Sequence, residues 1–215
     1  MSIFNTILDI LLPIRCLTCK KRDAYLCTSC LRACRPCERE TDDWIYSVYD
    51  YRDPVIKKAI WFLKYKGKKN LAKTFALQIY DKTMEDLSEL SIIDNFKNPI
   101  LIPIPLSKKR QRERGFNQSE LLCRELMSLS PSSFTLEKNI LRKQKDTFHQ
   151  ARIKDKHARL KNIVGSFYTT NKQQIKNKNI ILVDDVTTTG ATLSEARKVL
   201  KQAGAKKVIA FTIAH

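Results

Sequence analysis

Two patterns of apolar residues organise most of this chain. From residue 98 onward, short strand-like segments alternate with stretches in which apolar residues recur every three or four positions. The predicted strands are PILIPIP, GSFYTT, NIILVDD and KKVIAFTIA, and the predicted helices are FNQSELLCRELMSL and ATLSEARKVLKQAG. Apolar strands that alternate with helices are typical of a parallel sheet covered by helices. The sequence therefore predicts an α/β fold for this part of the chain.

The preceding segment, residues 44–97, is predicted to add one strand and two helices. WIYSVYDY is strand-like, and Asp53-Pro54 has the composition of an N-cap followed by the first helical residue. The helix after it, VIKKAIWFLKYK, carries an apolar stripe, and a second helix is expected over about residues 71–87. Further along, residues 143–156 are polar and basic without a clear period, which predicts a mobile loop.

Residues 1–43 differ from the rest because they are rich in cysteine and poor in strand patterns. We predict an N-terminal cysteine-rich module over residues 1–43 and a second domain over residues 44–215. Apolar residues within residues 3–12 have helical spacing, without the basic leader or cleavage site of an export signal. No apolar run reaches the roughly 18 residues of a membrane-spanning helix. We therefore expect a cytoplasmic protein without membrane insertion.

Charge narrows the range of partners. Lysine and arginine total 40 against 22 acidic residues, which gives a net charge of +18. The excess is concentrated, since residues 57–73 contain seven lysines and no acid. Such a field attracts phosphate-rich partners, namely nucleic acid, anionic lipid or a polyphosphorylated metabolite. The alternative is a lysine-rich surface that only keeps the protein in solution.

Six of the seven cysteines are crowded into residues 16–37 as three CxxC pairs. Because no export signal is evident, metal ligation is favoured over disulfide bonds. Two CxxC turns together supply the four thiolates of a tetrahedral zinc site, and four protein ligands make such a site structural. We predict that the first two pairs, Cys16 with Cys19 and Cys27 with Cys30, bind the zinc. The alternative is that the third pair, Cys34 and Cys37, replaces one of them.

The segment IILVDDVTTTGAT, residues 180–192, carries the most chemical information. An apolar strand ends in Asp184 and Asp185, and a short hydroxyl-rich turn with Gly190 then opens a helix. In α/β sheets, ligands bind at the carboxyl ends of strands, where a helix N-terminus offers N–H groups to a phosphate. Two adjacent carboxylates suit sugar hydroxyls or a divalent cation that arrives with the ligand. The alternative is a buried strand whose acidic end only caps the next helix.

This segment resembles the signature of type I phosphoribosyltransferases, which bind 5-phosphoribosyl-1-diphosphate (PRPP). The resemblance implies that Asp184 and Asp185 contact the ribose hydroxyls, directly or through Mg²⁺. It also implies a loop that holds the 5′-phosphate, formed by Thr188, Thr189, Gly190, Ala191 and Thr192. Several members of the family have a carboxylate, proposed as a general base, where this chain has Thr188.

A second signal follows the strand PILIPIP. Five basic residues within seven precede the string RGFNQ, which opens a helix. RGFNQ resembles the ComF family, phosphoribosyltransferase-like proteins tied to DNA uptake in competent bacteria, as do the CxxC pairs and FLKYKG. A further ComF-like stretch contains Thr147, Gln150, Arg159, Asn162, Gly165 and Phe167. The resemblance implies that the diphosphate of PRPP, or a nucleic-acid backbone, contacts Lys108, Arg110, Arg112 and Arg114.

These resemblances imply more than one function. The first is a role in DNA uptake, in which the protein binds single-stranded DNA and also has a PRPP site. In this role it would work with a competence helicase and a recombination mediator. The alternatives are an active phosphoribosyltransferase acting on an unidentified small nucleophile, and a PRPP-sensing protein without turnover.

For DNA, the basic segments 57–73, 108–114 and 138–161 are the expected contacts. Base stacking on Tyr65, Phe116 or Phe148 is an alternative to a core position for each ring. For the lysines of FLKYKG we expect exposure to water.

Overall fold

The computed structural model describes residues 14–38, 42–144 and 163–215. Its secondary structure begins with a short helix in the cysteine-rich segment and continues with strands and helices to the final strand. In chain order the elements are α1 (Thr28–Arg32), β1 (Ile45–Tyr49), α2 (Pro54–Tyr65), α3 (Leu71–Ile93), β2 (Ile100–Pro103), α4 (Lys108–Arg114), α5 (Gln118–Leu129), β3 (Thr135–Leu136), β4 (Leu141–Lys143), β5 (Phe167–Thr169), β6 (Asn179–Val186), α6 (Ala191–Gln202) and β7 (Lys207–Ala214).

Five strands form one parallel sheet in the order β1-β7-β6-β2-β3. Strands β4 and β5 form a separate antiparallel pair. The predicted α/β fold with a parallel sheet flanked by helices is therefore confirmed. Pro103 pairs with Val183 in register, so β2 and β6 end at the same edge of the sheet. The loops that follow these two strands consequently meet at that edge.

The two faces of the sheet contact different apolar clusters. Along β6, Ile181 and Val183 pack with α2, α3 and α5, whereas Ile180 and Leu182 pack with α6 and the β4–β5 pair. Successive strand residues point to opposite faces, so a strand covered on both sides needs apolar residues at every position. The continuous apolar runs of the sequence follow from this double burial.

The predicted helix ends agree with the structure where a capping side chain is present in the sequence. Asp53 caps α2 by accepting hydrogen bonds from the backbone N–H groups of Val55 and Ile56. The helix expected over residues 71–87 was placed too short, because α3 continues to Ile93. Its last turns have little apolar periodicity; Ile92 is 84% exposed. The end of that helix therefore had no sequence signal.

The basic run after β2 forms a two-turn helix, α4. Ser107 caps its N-terminus by accepting a hydrogen bond from the backbone N–H of Arg110, and Gly115 ends it in the left-handed region (φ +75°). The two ends carry ordinary capping signals, Ser and Gly, which are visible in the sequence.

The cysteine-rich segment is tied to the edge strand β1. Cys37 N–H donates to the carbonyl of Val48, and Asp50 N–H donates to the carbonyl of Arg35. The segment also buries Leu26 and Leu31 in the same apolar cluster as α2 and α3. The proposed boundary at residue 43 stays a prediction.

Several expectations fall on parts of the chain that lie outside the described residues. These are the helix predicted within residues 3–12, most of the loop predicted over residues 143–156, and four ComF-like positions, Thr147, Gln150, Arg159 and Asn162. Lys143 itself ends strand β4. Within the described ranges, no helix combines the length and apolar character needed to cross a membrane.

Candidate phosphate and sugar site

Asp184 and Asp185 lie at the carboxyl end of β6, in the middle of the sheet. The Oδ1 atom of Asp184 accepts hydrogen bonds from the Ser119 hydroxyl (3.1 Å) and from the backbone N–H of Asp185 (2.9 Å). Asp185 is buried, and its Oδ2 lies 2.9 Å from the ammonium group of Lys64. The two carboxylates thus contact different helices, Asp184 through Ser119 of α5 and Asp185 through Lys64 of α2.

The electrostatic environment of Asp184 favours its protonated form. Burial raises the pKa of this carboxyl to about 7, and the neighbouring charge of Asp185 adds to the shift. The nearby Lys64 ammonium and the hydrogen bonds from Asp185 N–H and Ser119 oppose the shift without cancelling it. Ionising Asp184 is therefore unfavourable in the free protein. A divalent cation that binds here would stabilise the ionised carboxylate with its positive charge.

Lys64 is a site residue that the sequence reasoning missed. The lysines of FLKYKG were expected to face water, but the Lys64 side chain is only 17% exposed and forms the ion pair with Asp185. Its position contains a signal, because residue 64 is four residues after buried Ile60 and adjacent to buried Leu63. A lysine on the apolar face of a helix requires an anion within reach, and here that anion is Asp185.

Ser119 is the second residue that was missed. It lies just after the RGFNQ string, in the first turn of α5, and is fully buried. Asn117 caps this helix by accepting a hydrogen bond from the backbone N–H of Ser119, while its own amide donates to the carbonyl of Ile104. The string therefore fixes the loop after β2 and directs a hydroxyl group at Asp184.

The predicted phosphate loop, residues 188–192, covers the end of the turn between β6 and α6 and the first two residues of α6. Gly190 has φ +70°, a conformation that favours glycine, and its carbonyl accepts the first helical hydrogen bond, from Ser194 N–H. The Thr189 hydroxyl accepts a hydrogen bond from the backbone N–H of Ala191 (3.5 Å). Helix α6 consequently begins at the edge of the sheet where the carboxylates lie, and its N-terminus is suited to an anion.

All four basic residues predicted as one set lie on helix α4, and the structure places three of them at two different surfaces. Lys108 and Arg112, one turn apart, line a groove of about 500 Å³ between α4 and the β4–β5 pair. Arg114 instead contacts α2, where its guanidinium lies 5.0 Å from the centre of the Tyr65 ring. The only acid among the groove residues described is Glu120, which pairs with Arg124 and Lys138. The other basic residues of the groove are Lys138, Arg142 and Lys143.

The aromatic residues that had been considered for base stacking are placed differently. Tyr65 was weighed as a core residue, but it is 54% exposed. Phe116 packs partly against the core and has the ammonium of Lys69 5.0 Å from its ring centre. Phe148 lies outside the described residues. Tyr168, which no sequence signal marked, lines the basic groove.

Four of the clustered cysteines converge in the N-terminal segment. The sulfur atoms of Cys16, Cys19, Cys27 and Cys30 all lie within 4.8 Å of one another, and Cys19 and Cys27 are 3.6 Å apart. Four sulfur atoms bound to one zinc ion at about 2.3 Å stand about 3.8 Å from one another. Cys34 lies outside this group, and its thiol donates to the carbonyl of Cys30 (3.2 Å).

The thiols of this cluster differ in their tendency to ionise. Burial disfavours the thiolate of Cys16, but hydrogen bonds from the backbone of Cys27, Cys19 and Thr18 outweigh that effect and lower its pKa to about 6. Hydrogen bonds from Cys30 also lower the pKa of Cys27. Backbone N–H groups directed at sulfur stabilise thiolates, the form in which cysteine binds a metal. The hydrogen bond with Cys27 raises the pKa of Cys30 to about 12, so this thiol ionises only with a metal beside it. Four converging sulfur atoms, two of them favoured as thiolates, fit a structural zinc ion.

The carboxylate pair at a strand end, the turn after it and the parallel sheet together define a class of protein. A family model described as the phosphoribosyl transferase domain matches residues 134–215, which include β6, the turn and α6. The chain is therefore a phosphoribosyltransferase-like protein.

Comparison with curated proteins identifies the family within that class. Competence protein ComFC of Bacillus subtilis is 33% identical over 209 residues, which cover 90% of this chain and 79% of the relative. Competence protein F of Haemophilus influenzae is 34% identical over 137 residues, 60% of this chain and 58% of that protein. DNA utilization protein YhgH of Shigella flexneri is 27% identical over 206 residues, 90% of this chain and 85% of its own. This chain belongs to the ComF family.

Proposed function

We propose that this protein binds PRPP together with Mg²⁺ at the carboxyl edge of the sheet, and that it acts in DNA uptake in the cytoplasm. One observation carries the PRPP proposal. Asp184 and Asp185 end a central strand, and the turn that follows starts a helix at the same edge. Carboxylates for hydroxyl groups or a cation, next to a helix N-terminus for a phosphate, match the chemistry of a phosphorylated sugar.

Each part of PRPP has a proposed partner in this arrangement. Asp184 and Asp185 hold the ribose hydroxyls and Mg²⁺, and residues 188–192, at the end of the turn and the start of α6, hold the 5′-phosphate. Bound Mg²⁺ would neutralise part of the negative charge of PRPP and of the two carboxylates. The basic residues of α4 that line the groove, Lys108 and Arg112, hold the diphosphate.

The PRPP proposal is tested by the variant Asp184→Asn. The amide keeps an oxygen that accepts from Ser119, but it removes the charge that attracts Mg²⁺. We expect the affinity for PRPP with Mg²⁺, measured by calorimetry at pH 8, to fall at least about 100-fold. Asp81→Asn makes the same change at an exposed carboxylate on α3 and should leave the affinity unchanged. Equal affinity in both variants would contradict the assigned role.

Measuring pyrophosphate release by the wild-type protein distinguishes PRPP binding from catalytic turnover. Release of pyrophosphate from PRPP with ammonia or a nucleobase would support the alternative, an active phosphoribosyltransferase. Binding without release would support a PRPP-binding protein.

We propose single-stranded DNA as the second ligand. The observation that supports this proposal is the basic groove. Five basic residues from two separate segments converge on one groove, with Glu120 neutralised by its own partners. The relatives named for competence and DNA utilization support a DNA ligand. A competence helicase and a recombination mediator are the partners that fit such a role.

Neutralising two groove residues tests the DNA proposal. For a single-stranded oligonucleotide, log affinity should fall linearly with log salt, with a slope of about 0.7 per phosphate contacted. Lys108→Gln combined with Arg112→Gln should reduce that slope by about 1.4. A matched control, Lys176→Gln with Lys178→Gln, changes the same charge at exposed positions before β6, at the opposite edge of the sheet. An identical slope for wild type and the groove variant would refute this surface.

Measuring the groove variant with PRPP separates the two ligands. If Lys108 and Arg112 contact the diphosphate as well as DNA, both affinities fall together. If only the DNA affinity falls, the groove belongs to DNA alone.

We also propose that the four converging cysteines bind one zinc ion. Because all four positions are protein ligands, such an ion is structural and leaves no open position for chemistry.

A further inference from the structure

Helix α2 has two faces with different chemistry. Its inner face buries Ile56, Ala59, Ile60 and Leu63 and directs Lys64 toward Asp185. Its outer face carries Trp61 and Tyr65, one turn apart, which are 45% and 54% exposed. Large aromatic side chains gain little from such positions in the fold itself, because much of each ring stays in water.

The two exposed rings form one patch surrounded by positive charge. Their centres lie 6.1 Å apart with the rings tilted by 45°. The ammonium of Lys66 lies 5.2 Å from the centre of the Trp61 ring. Arg114 stacks on Tyr65 at 5.0 Å and donates a hydrogen bond to its hydroxyl oxygen (3.2 Å). No acidic residue occurs in residues 57–73.

Helix α4 connects this aromatic patch to the basic groove. Lys108 and Arg112 of α4 line the groove, while Arg114 at the end of the same helix contacts Tyr65. Seven helical residues span only about 10 Å. A single chain that follows α4 therefore passes from phosphate-binding side chains to exposed aromatic rings.

We infer that Trp61 and Tyr65 are a stacking platform for unpaired bases of a nucleic-acid strand whose phosphates contact α4 and the basic groove. The inference rests on the proposed DNA-binding function and adds the reason for single-strand selectivity. Bases of a duplex are already stacked on one another, whereas bases of a single strand are free to stack on aromatic rings. Lys66 and Arg114 neutralise the adjoining phosphates.

The test compares two oligonucleotides of equal charge, a 20-residue thymidine strand and an abasic strand of the same length. Wild type should bind the thymidine strand at least about tenfold more tightly, because only that strand has bases to stack. Trp61→Ala with Tyr65→Ala should remove this preference while leaving the abasic affinity and the salt slope unchanged. Trp61→Phe with Tyr65→Phe should restore most of it.

The control removes two other exposed apolar side chains. Ile92→Ala with Ile93→Ala, on α3, should bind both strands as wild type does. Both pairs of substitutions affect exposed side chains, so their melting temperatures should match that of wild type. If the alanine pair melts early, the single variant Tyr65→Ala, at the more exposed of the two rings, is compared instead.

Each outcome distinguishes the inference from the proposed function. Equal affinity of wild type for the two strands, or no effect of the alanine pair, would overturn the stacking platform while leaving DNA binding through the groove intact. Failure to bind either strand would overturn both. Loss of the preference in the Ile92 and Ile93 variant would show a general apolar effect and would also overturn it.

Fluorescence gives a second readout at the proposed contact. The chain has two tryptophans, Trp44 and Trp61, so Trp44→Phe leaves Trp61 as the only indole. Stacked bases should quench its emission when the thymidine strand binds, and the abasic strand should leave it unchanged. Unchanged emission with saturating thymidine strand would contradict direct stacking on Trp61.

Discussion

Replacing Cys27 with serine is expected to remove the zinc ion and unfold the segment around residues 16–37. Structural zinc contributes about 10–16 kcal/mol of binding free energy in small domains, and that energy is folding energy. The segment buries Cys16, Leu26 and Leu31 against α2 and α3. Its loss therefore also exposes part of the main apolar core, and the variant should melt well below wild type.

Elemental analysis and limited proteolysis measure this effect. Wild type purified without added metal should contain about one zinc per chain, and Cys27→Ser close to none, with rapid cleavage between residues 16 and 37. Cys37→Ser is the matched control, because Cys37 lies outside the converging group. Zinc loss in Cys37→Ser would indicate that the third CxxC pair supplies ligands. A metal-free wild type with an intact N-terminal segment would overturn the zinc proposal.

The variant Asp184→Asn should be more stable than wild type at alkaline pH, although it binds PRPP poorly. An acid whose pKa is higher in the folded state than in the unfolded chain keeps its proton longer when folded. Its stabilising contribution is present below about pH 4 and is lost as the pH rises from 3.8 toward 7. At pH 8 the buried charge therefore costs wild type about 2–4 kcal/mol.

Thermal melting of both proteins across pH measures this cost. At pH 8, Asp184→Asn should melt about 5–15 °C above wild type, and at pH 5 the difference should be less than half as large. Asp81→Asn, at an exposed position, should show no such dependence. A constant difference between the two proteins from pH 5 to pH 8 would contradict the raised pKa of Asp184. A site that gains stability when its function is removed is typical of ligand-binding carboxylates.

The sheet was predictable from the sequence because strands that are buried on both faces consist of consecutive apolar residues. In β6 every position from Ile180 to Val183 is apolar, and the cap at Asp53 and the glycine at Gly190 mark where helices begin. These signals lie within a few residues of the elements they define. These signals can therefore be recognised in the sequence without knowing which residues are neighbours in the folded protein.

The missing parts of the candidate site depend on contacts between distant segments. Lys64 and Asp185 are 121 positions apart, and Ser119 and Asp184 are 65 apart. The spacing of Lys64 from Ile60 places it on the apolar face of its helix, but nothing in the nearby sequence identifies the carboxylate that it pairs with. The division of the α4 residues had the same cause, since only the packed structure tells which side of the helix faces β4 and which faces α2.

The position of β7 in the sheet affects how the protein folds during synthesis. This strand lies between β1 and β6, yet it follows both of them along the chain, and Ser47 bonds to Thr212 across 165 positions. At about 5–20 residues per second, the ribosome makes β1 roughly 10–30 seconds before it makes β7. During that interval β1 lacks its only neighbouring strand, and the apolar side chains that will cover β7 remain exposed to other chains. Cotranslational folding of the sheet therefore waits for residues 207–214, and a chaperone that shields apolar surface would act before that point.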